Sequence, residues 1–472
     1  MLIYVCLIII WAVLIAFHWS VYKRNAHMFQ LNGYKSKIHR DYAAENRIFY
    51  LRRSGKAKKP LVWTARLKRL TGAYALLSLI MPFLLPPTLI RLAAFLMSPV
   101  EKAINARYIG EARSLIADAK SSGLKVIGVT GSYGKTSVKV YIGKLLSSQA
   151  DVLITPESYN TTLGVVRTIR ERLRATHKYF VVEMGARNKG DIAEICELVK
   201  PDCAVITAIG EAHLESFGSI ENTSDAKFEL FDNLNPETGI AFLNFDNEHI
   251  RQRAQTIKNS RAVPKIVSYG VKLKDADYRG ENVTTTANGS EFCVRGVKFR
   301  SKLIGAHNTL NLTAAIAVAN TLGIPLDELV LPVRRLEPVP HRLQLLGGGD
   351  TLLLDDAYNS NPDGAKAALD ALAEFSGRYK ILITPGMVEL GAREFSLNTA
   401  FGVQAAKVCD YVVLVGVERT RPIAAGLHAA GMPAERCAAV QTIEEALRIA
   451  NSLDTAGKPR IILLENDLPD NY

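Results

Sequence analysis

The 472-residue chain reads as an α/β protein: N-terminal membrane helices, then a P-loop central domain with a mostly parallel sheet, then a smaller C-terminal Rossmann-like α/β domain. Three observations predict this. An uncharged apolar run, Leu2 to Trp19, opens the chain. A glycine-bearing loop, Thr130-Gly131-Ser132-Tyr133-Gly134-Lys135-Thr136, stands between a β-branched run and a helical stretch. Past Pro340, short apolar runs alternate with helical stretches. Two or three domains are expected at this length. Their boundaries are set at 1–120 for a membrane anchor with a basic amphipathic linker, 121–338 for the central domain and 339–472 for the last.

Apolar content of 48% with 22% charged residues is that of a globular chain enriched at its N-terminus, which excludes a polytopic transporter. Leu2–Trp19 is just long enough to cross a bilayer. It has no basic residues before it and no small-residue cleavage site after it, so a signal peptide is not expected. The net charge of +12 is concentrated: fourteen Lys or Arg between Val21 and Thr71 stand against Asp41 and Glu45, leaving the remainder formally neutral. A basic block flanked by apolar runs, with Arg52, Arg53, Lys58 and Lys59 at its centre, suits an anionic membrane surface and not nucleic acid. Positive charge after the span puts the catalytic domains on the cytoplasmic side of the cell's inner membrane.

The second apolar stretch, Tyr74 to Met97, contains Pro82, Pro86, Pro87 and Arg91. It is expected to enter and return as a hairpin breaking near Pro86-Pro87. Phe29 to Arg53 mixes aromatic and basic residues at helical spacing, as a surface-lying amphipathic segment does, and a solvated linker is the competing reading. Val100 to Ala119 predicts one further helix. The six cysteines form no CxxC pair and read as reduced thiols.

Leu124 to Val129 predicts a buried strand and Ser137 to Ser147 a helix. Between them, Gly131 and Gly134 let backbone N–H groups turn toward phosphate, the helix N-terminus adds its dipole, Lys135 neutralises charge and Thr136 offers a hydroxyl to Mg²⁺. Val129 stands where the longer GxxxxGK[ST] pattern has its first glycine, so the motif is T-G-x-x-G-K-T. Glu183 follows the apolar run 179–182 and so ends a strand, where α/β ligand sites lie; His213 follows the run 204–209. Each alone is more often a satisfied structural group, and Lys227 alone reads as a solvated helix residue.

Six ordered motifs carry a resemblance: TGSYGKTS at 130–137, EMGARNKGDIAEI at 183–195, AIGEAHLESFGSIENTSDAKFEL at 208–230, GAHNTLNLTAAIAVA at 305–319, PHRLQ at 340–344 and DDAYNSNPD at 355–363. The sequence resembles the Mur ligases, ATP-dependent amide ligases of bacterial cell-wall assembly, most of all the branch that adds D-alanyl-D-alanine to UDP-MurNAc-tripeptide. The resemblance implies that Thr130, Gly131, Ser132, Gly134, Lys135, Thr136 and Ser137 hold the phosphates of ATP. It implies that Thr136, Glu183, His213 and a carbamylated Lys227 hold two Mg²⁺ ions. Asn308 and Asn311 would contact adenine, Asp356 and Tyr358 the ribose, and Arg342 the transferred phosphate, with Lys135, Lys227, Arg342 and His213 as the catalytic set. A Pro338-Val339-Pro340 hinge would close the last domain.

Two departures stand out. No room remains before Leu124 for the domain that holds the UDP-sugar in that branch, and the branch's C-terminal Lys-Gly-Ser is replaced by Glu465-Asn466-Asp467. The expected partners are therefore a small-molecule or lipid-linked cell-wall precursor, together with an amino acid or dipeptide. Rival readings are a similar ligase of another pathway (polyglutamate or cofactor-tailing) and a nucleotide-binding scaffold without catalysis. A motor or transport NTPase is disfavoured because no water-positioning motif is evident.

Overall fold

A computed structural model describes residues 1–46, 60–157, 159–211, 214–260, 263–358 and 360–467. His213, the basic residues Arg47, Arg52, Arg53, Lys56, Lys58 and Lys59, and the end of the segment reaching Arg53 lie outside the described residues. The chain divides into two compact units, residues 1–108 and 109–467.

In the first unit, helix Leu2–Leu31 is followed by Ser36–Glu45, Ala65–Ile80 and the first part of Pro86–Ser121. Thirty helical residues reach about 45 Å, and Ile3–Leu31, with a mean hydropathy of 2.2 over an 18-residue window, is the one described helix long and apolar enough to cross a membrane. Its second half buries Tyr22, Ala26 and Phe29 against Leu67, Leu70, Tyr74, Leu89 and Ile90. His18 meets the Tyr74 hydroxyl at 2.8 Å and the Pro82 carbonyl at 2.9 Å. The break in the second apolar stretch falls at 81–85. Pro86 and Pro87 open the next helix, whose first turn needs no N–H from them. The expected helix 100–119 is the later part of this same element.

The second unit is α/β, with the mostly parallel central sheet that the sequence predicts. Its strands are β1 Lys125–Thr130, β2 Val152–Ile154, β3 Tyr179–Glu183, β4 Cys203–Ile206, β5 Ile240–Asn244, β6 Lys265–Gly270 and β7 Tyr278–Arg279. They lie in the order β2-β3-β1-β4-β5-β6-β7, all parallel. The chain leaves β1 toward one edge, returns as β3 and then crosses to β4. A crevice therefore opens at the carboxyl end of β1, where strand order reverses and ligands bind in such sheets. Five of the six β1 residues are buried, as expected of a strand covered on both faces.

The polar stretch near Asn282–Ser290 forms β8 Glu281–Thr286 and β9 Gly289–Val294, which join β10 Val297–Ser301 in an antiparallel sheet. The last sheet holds β11 Gln344–Gly348, β12 Thr351–Asp356, β13 Tyr379–Thr384, β14 Tyr411–Val415, β15 Cys437–Val440 and β16 Arg460–Glu465, in the order β11-β12-β16-β13-β14-β15. It is parallel except for β11. The sequence predicts strands here at Leu352–Leu354, Lys380–Thr384, Tyr411–Val415 and Arg460–Leu464; all four are present, three of them longer by one to three residues. β11 and β15 escape prediction because both are edge strands with small or exposed side chains.

Candidate active site

β1 delivers Thr130 to the crevice with its hydroxyl donating to the Met184 carbonyl at 2.8 Å. Gly131 then turns at φ +151°, where a Cβ would stand 2.1 Å from Thr207 Oγ1 and 2.9 Å from the Ala208 nitrogen. The loop is stitched to the chain beyond β4: the Ser132 N–H donates to Ala208 O at 2.8 Å, and the Gly210 N–H to Ser132 Oγ at 3.0 Å. Gly134, at φ +77°, precedes helix Lys135–Leu146, and a Cβ on it would lie 2.8 Å from Asn311 Oδ1. Lys135 folds back over the loop, donating to Gly131 O at 2.5 Å and Ser132 O at 3.3 Å. Burial pushes its ammonium down to about 8, with Glu183 opposing and Arg342 adding to the shift.

Glu183 ends β3 beside the loop. Its Oε2 accepts from Thr136 Oγ1 at 3.0 Å and from Lys139 Nζ at 3.0 Å, and its Oε1 from Asn160 Nδ2 at 3.2 Å. Burial alone would raise this carboxyl, but the neighbouring Lys139 and Lys135 ammoniums outweigh it and hold the group below its usual range. Lys227, on helix Ile220–Asp232, is buried, and its amine is lowered to about 7, first by burial and then by Lys135.

The remaining predicted positions separate. Ser137 turns inward to hydrogen-bond the Tyr141 hydroxyl. That hydroxyl donates to Asn308 Oδ1 at 3.0 Å, and Asn308 Nδ2 donates to Ile304 O at 2.8 Å. Ser137 and Asn308 thus form a buried chain beneath the loop, while Asn311 faces the loop itself.

In the turn before β11, Arg342 stands between two non-glycine residues in the left-handed region, His341 at φ +58° and Leu343 at φ +50°. Such backbone is stored at sites that need a side chain aimed. Its guanidinium carbon lies 4.2 Å over the Tyr358 ring, and its charge is felt at Lys135 and Asp356. Asp356 accepts from the Leu343 N–H at 3.1 Å, and burial raises its carboxyl to about 6. His341 Nδ1 meets Asp355 at 2.8 Å. The structure therefore gathers Lys135, Thr136, Glu183, Lys227, Arg342, Asp356 and Tyr358 around one crevice.

Sequence reasoning missed Lys139, Asn160 and Glu465. Lys139 had a signal: it lies three residues after Thr136, on the same helix face. Among the described residues no group of three or more His, Cys, Asp or Glu could hold a metal. One carboxylate, one threonine hydroxyl and the oxygens of a phosphate chain do suit Mg²⁺, a hard cation that takes few protein ligands.

Comparison with known proteins gives a family for two parts of the chain. Residues 129–319 match the Mur ligase middle domain, and 341–464 the Mur ligase glutamate ligase domain. Both domains belong to the Mur ligase family. The UDP-N-acetylmuramoyl-tripeptide–D-alanyl-D-alanine ligase of Escherichia coli is 36% identical over 299 residues, 62% of this chain and 64% of that enzyme. Its Bacillus subtilis counterpart is 32% identical over 284 residues, 59% of this chain and 60% of that enzyme. This Mur-type chain thus spans somewhat under two thirds of the curated relatives it matches. The crystal structure of MurF from Acinetobacter baumannii superposes with a TM-score of 0.66 at 29% identity, covering 75% of this chain and 76% of that one. MurF from Thermotoga maritima in complex with ADP shares the fold, with a TM-score of 0.67 over 77% of this chain and 80% of its own, at 24% identity.

Proposed function

We propose that this Mur-type chain is an ATP-dependent carboxylate–amine ligase acting on a cell-wall precursor, and that D-alanyl-D-alanine is the amine it adds. The observation that carries this is the meeting of Arg342, from the turn before β11, with the loop lysine Lys135, which itself neighbours the strand-end carboxylate Glu183. A phosphate binder needs the loop alone. A second cation delivered from a separate part of the chain, the turn before β11, fits the stabilisation of a phosphoryl group in transfer.

The substrate carboxylate attacks the γ-phosphorus of ATP, ADP leaves, and an acyl phosphate forms. The amine then adds to the acyl carbon, loses a proton and expels phosphate. Lys135 and the Gly131–Gly134 loop hold the phosphate chain, Arg342 neutralises the transferred group, and Asn311 and Tyr358 border the remainder of the nucleotide. Mg²⁺ on Thr136 and Glu183 would supply further charge neutralisation. Lys227, whose amine is half neutral near pH 7, is suited to take up CO₂, releasing a proton and presenting a carbamate oxygen to a second ion. His213 completes the proposed set.

The apolar helix Ile3–Leu31 and the basic stretch after it support a second element of the proposal: the chain sits on the cytoplasmic face of the membrane, and its acceptor is membrane-held. Confinement to one surface raises effective concentration. Full-length protein in liposomes, given ATP, D-alanyl-D-alanine and either UDP-MurNAc-tripeptide or its lipid-linked form, should release ADP and phosphate and form the amide, with the lipid-linked acceptor turned over faster. Absence of ADP with every acceptor would leave the scaffold reading. Product with glutamate in place of the dipeptide would favour the polyglutamate reading. Equal turnover of both acceptors would remove the membrane element alone.

A further inference from the structure

The crevice around Lys135 is crowded with positive charge: Lys135 and Lys139 both bear on the Glu183 carboxylate, and Arg342 bears on Lys135. Lys139 is the one of these with no part in the reaction as drawn. It is 1% exposed and Glu183 2%, and the pair meets at 3.0 Å. The same ammonium donates to the Glu157 carbonyl at 2.5 Å, so two acceptors fix it. The carboxylate oxygen it holds, Oε2, is also the one bonded by Thr136 Oγ1. A divalent cation coordinated by the Thr136 hydroxyl and the Glu183 carboxylate needs that oxygen. A bare dication entering there meets two ammonium groups at short range in a buried site, where charges are weakly screened. A cation already bound to a nucleoside triphosphate arrives inside a net anion, which the same lysines attract.

We propose that Lys139 is a built-in counter-ion of Glu183, which excludes free divalent cations from the crevice and makes the metal enter together with the nucleotide. Lys139 is thus a positioning residue, acting through Glu183. The inference rests on the reading of the crevice as an ATP and Mg²⁺ site.

Mn²⁺ as the probe, followed by electron paramagnetic resonance on the full-length protein in detergent, tests it without turnover. The wild type should bind Mn²⁺ with a non-hydrolysable ATP analogue, and bind none at that concentration without nucleotide. K139M should gain nucleotide-free Mn²⁺ affinity by at least about tenfold. K139R, which keeps the cation, should behave as the wild type. If Lys139 only stabilises the fold, K139M lowers the melting temperature and leaves the order of binding unchanged, which overturns the proposal. Should K139M not fold, K139Q and the wild type still decide, since nucleotide-free Mn²⁺ binding by the wild type is equally fatal. Failure of the wild type to bind Mn²⁺ with the analogue would instead refute the ATP-site reading beneath it.

Discussion

Asp356 and Glu465 are register partners at the carboxyl ends of the adjacent parallel strands β12 and β16, Glu465 buried and Asp356 half-buried. Glu465 accepts from the Thr384 hydroxyl at 2.8 Å and from Ser360 Oγ. Burial lifts it to about 7, with Asp356 adding to the rise. The folded chain therefore holds these protons more tightly than the unfolded chain. The stability they contribute is present below the unfolded carboxyl range and is lost as pH rises through about 6 to 7. Melting curves from pH 5 to pH 8 should show the wild type losing on the order of 2 to 3 kcal/mol relative to Glu465→Gln. Parallel curves would show that Glu465 does not titrate in this window.

Gly131→Ala should destabilise the protein, because the added Cβ meets Thr207 Oγ1 and the Ala208 backbone, which cannot both yield. A loss of roughly 2 to 4 kcal/mol is expected from overpacking at a special backbone angle. Chemical denaturation measures it. A loss below about 0.5 kcal/mol, the range of ordinary surface changes, would mean that the loop is freer than its hydrogen bonds imply.

Lys135→Ala should abolish ADP release in the presence of both substrates, a fall of at least about a hundredfold, as for loss of a group that stabilises charge in the transition state. A fully active variant would end the ligase reading of the crevice.

Arg342→Ala should lower kcat by about 10²- to 10³-fold while ATP still binds, because this side chain comes from the turn before β11, outside the phosphate loop, to meet developing charge. Arg342→Lys should recover only part of the rate, since the guanidinium stacked over Tyr358 is planar and an ammonium is not. Equal loss of ATP affinity in both variants would make Arg342 a binding residue.

Activity should fall when CO₂ is rigorously removed and return with bicarbonate, because the lowered Lys227 amine supplies the neutral nucleophile that carbamylation requires. A ¹³C carbamate signal present in the wild type and missing from Lys227→Met would verify the group. Activity indifferent to CO₂ would contradict it.

Much of the fold was legible because local rules carry it. β1 reads from its β-branched run, and a break in the second apolar stretch from its prolines, although it falls at 81–85, just before Pro86-Pro87. The edge strands β11 and β15 did not read, since short strands with small side chains lack an alternating pattern. Within the site, Lys135, Thr136 and Glu183 stand where strand–loop–helix reasoning puts them. Ser137 and Asn308, by contrast, turn into the core toward Tyr141, a partner 167 residues away from Asn308 in the chain.

The sequence by itself determined the apolar first helix, the phosphate loop and the Mur-type motif order. Each depends on neighbours in the chain: hydropathy over one helix, glycine where φ must be positive, a hydroxyl one residue past a lysine. Only the tertiary structure decided that Lys139 occupies Glu183 across 44 residues of chain, that Glu465 pairs with Asp356, and that Arg342 reaches Lys135 from the turn before β11. Strand order sets those meetings, and a charge acquires its partner and its pKa only when folding removes it from water.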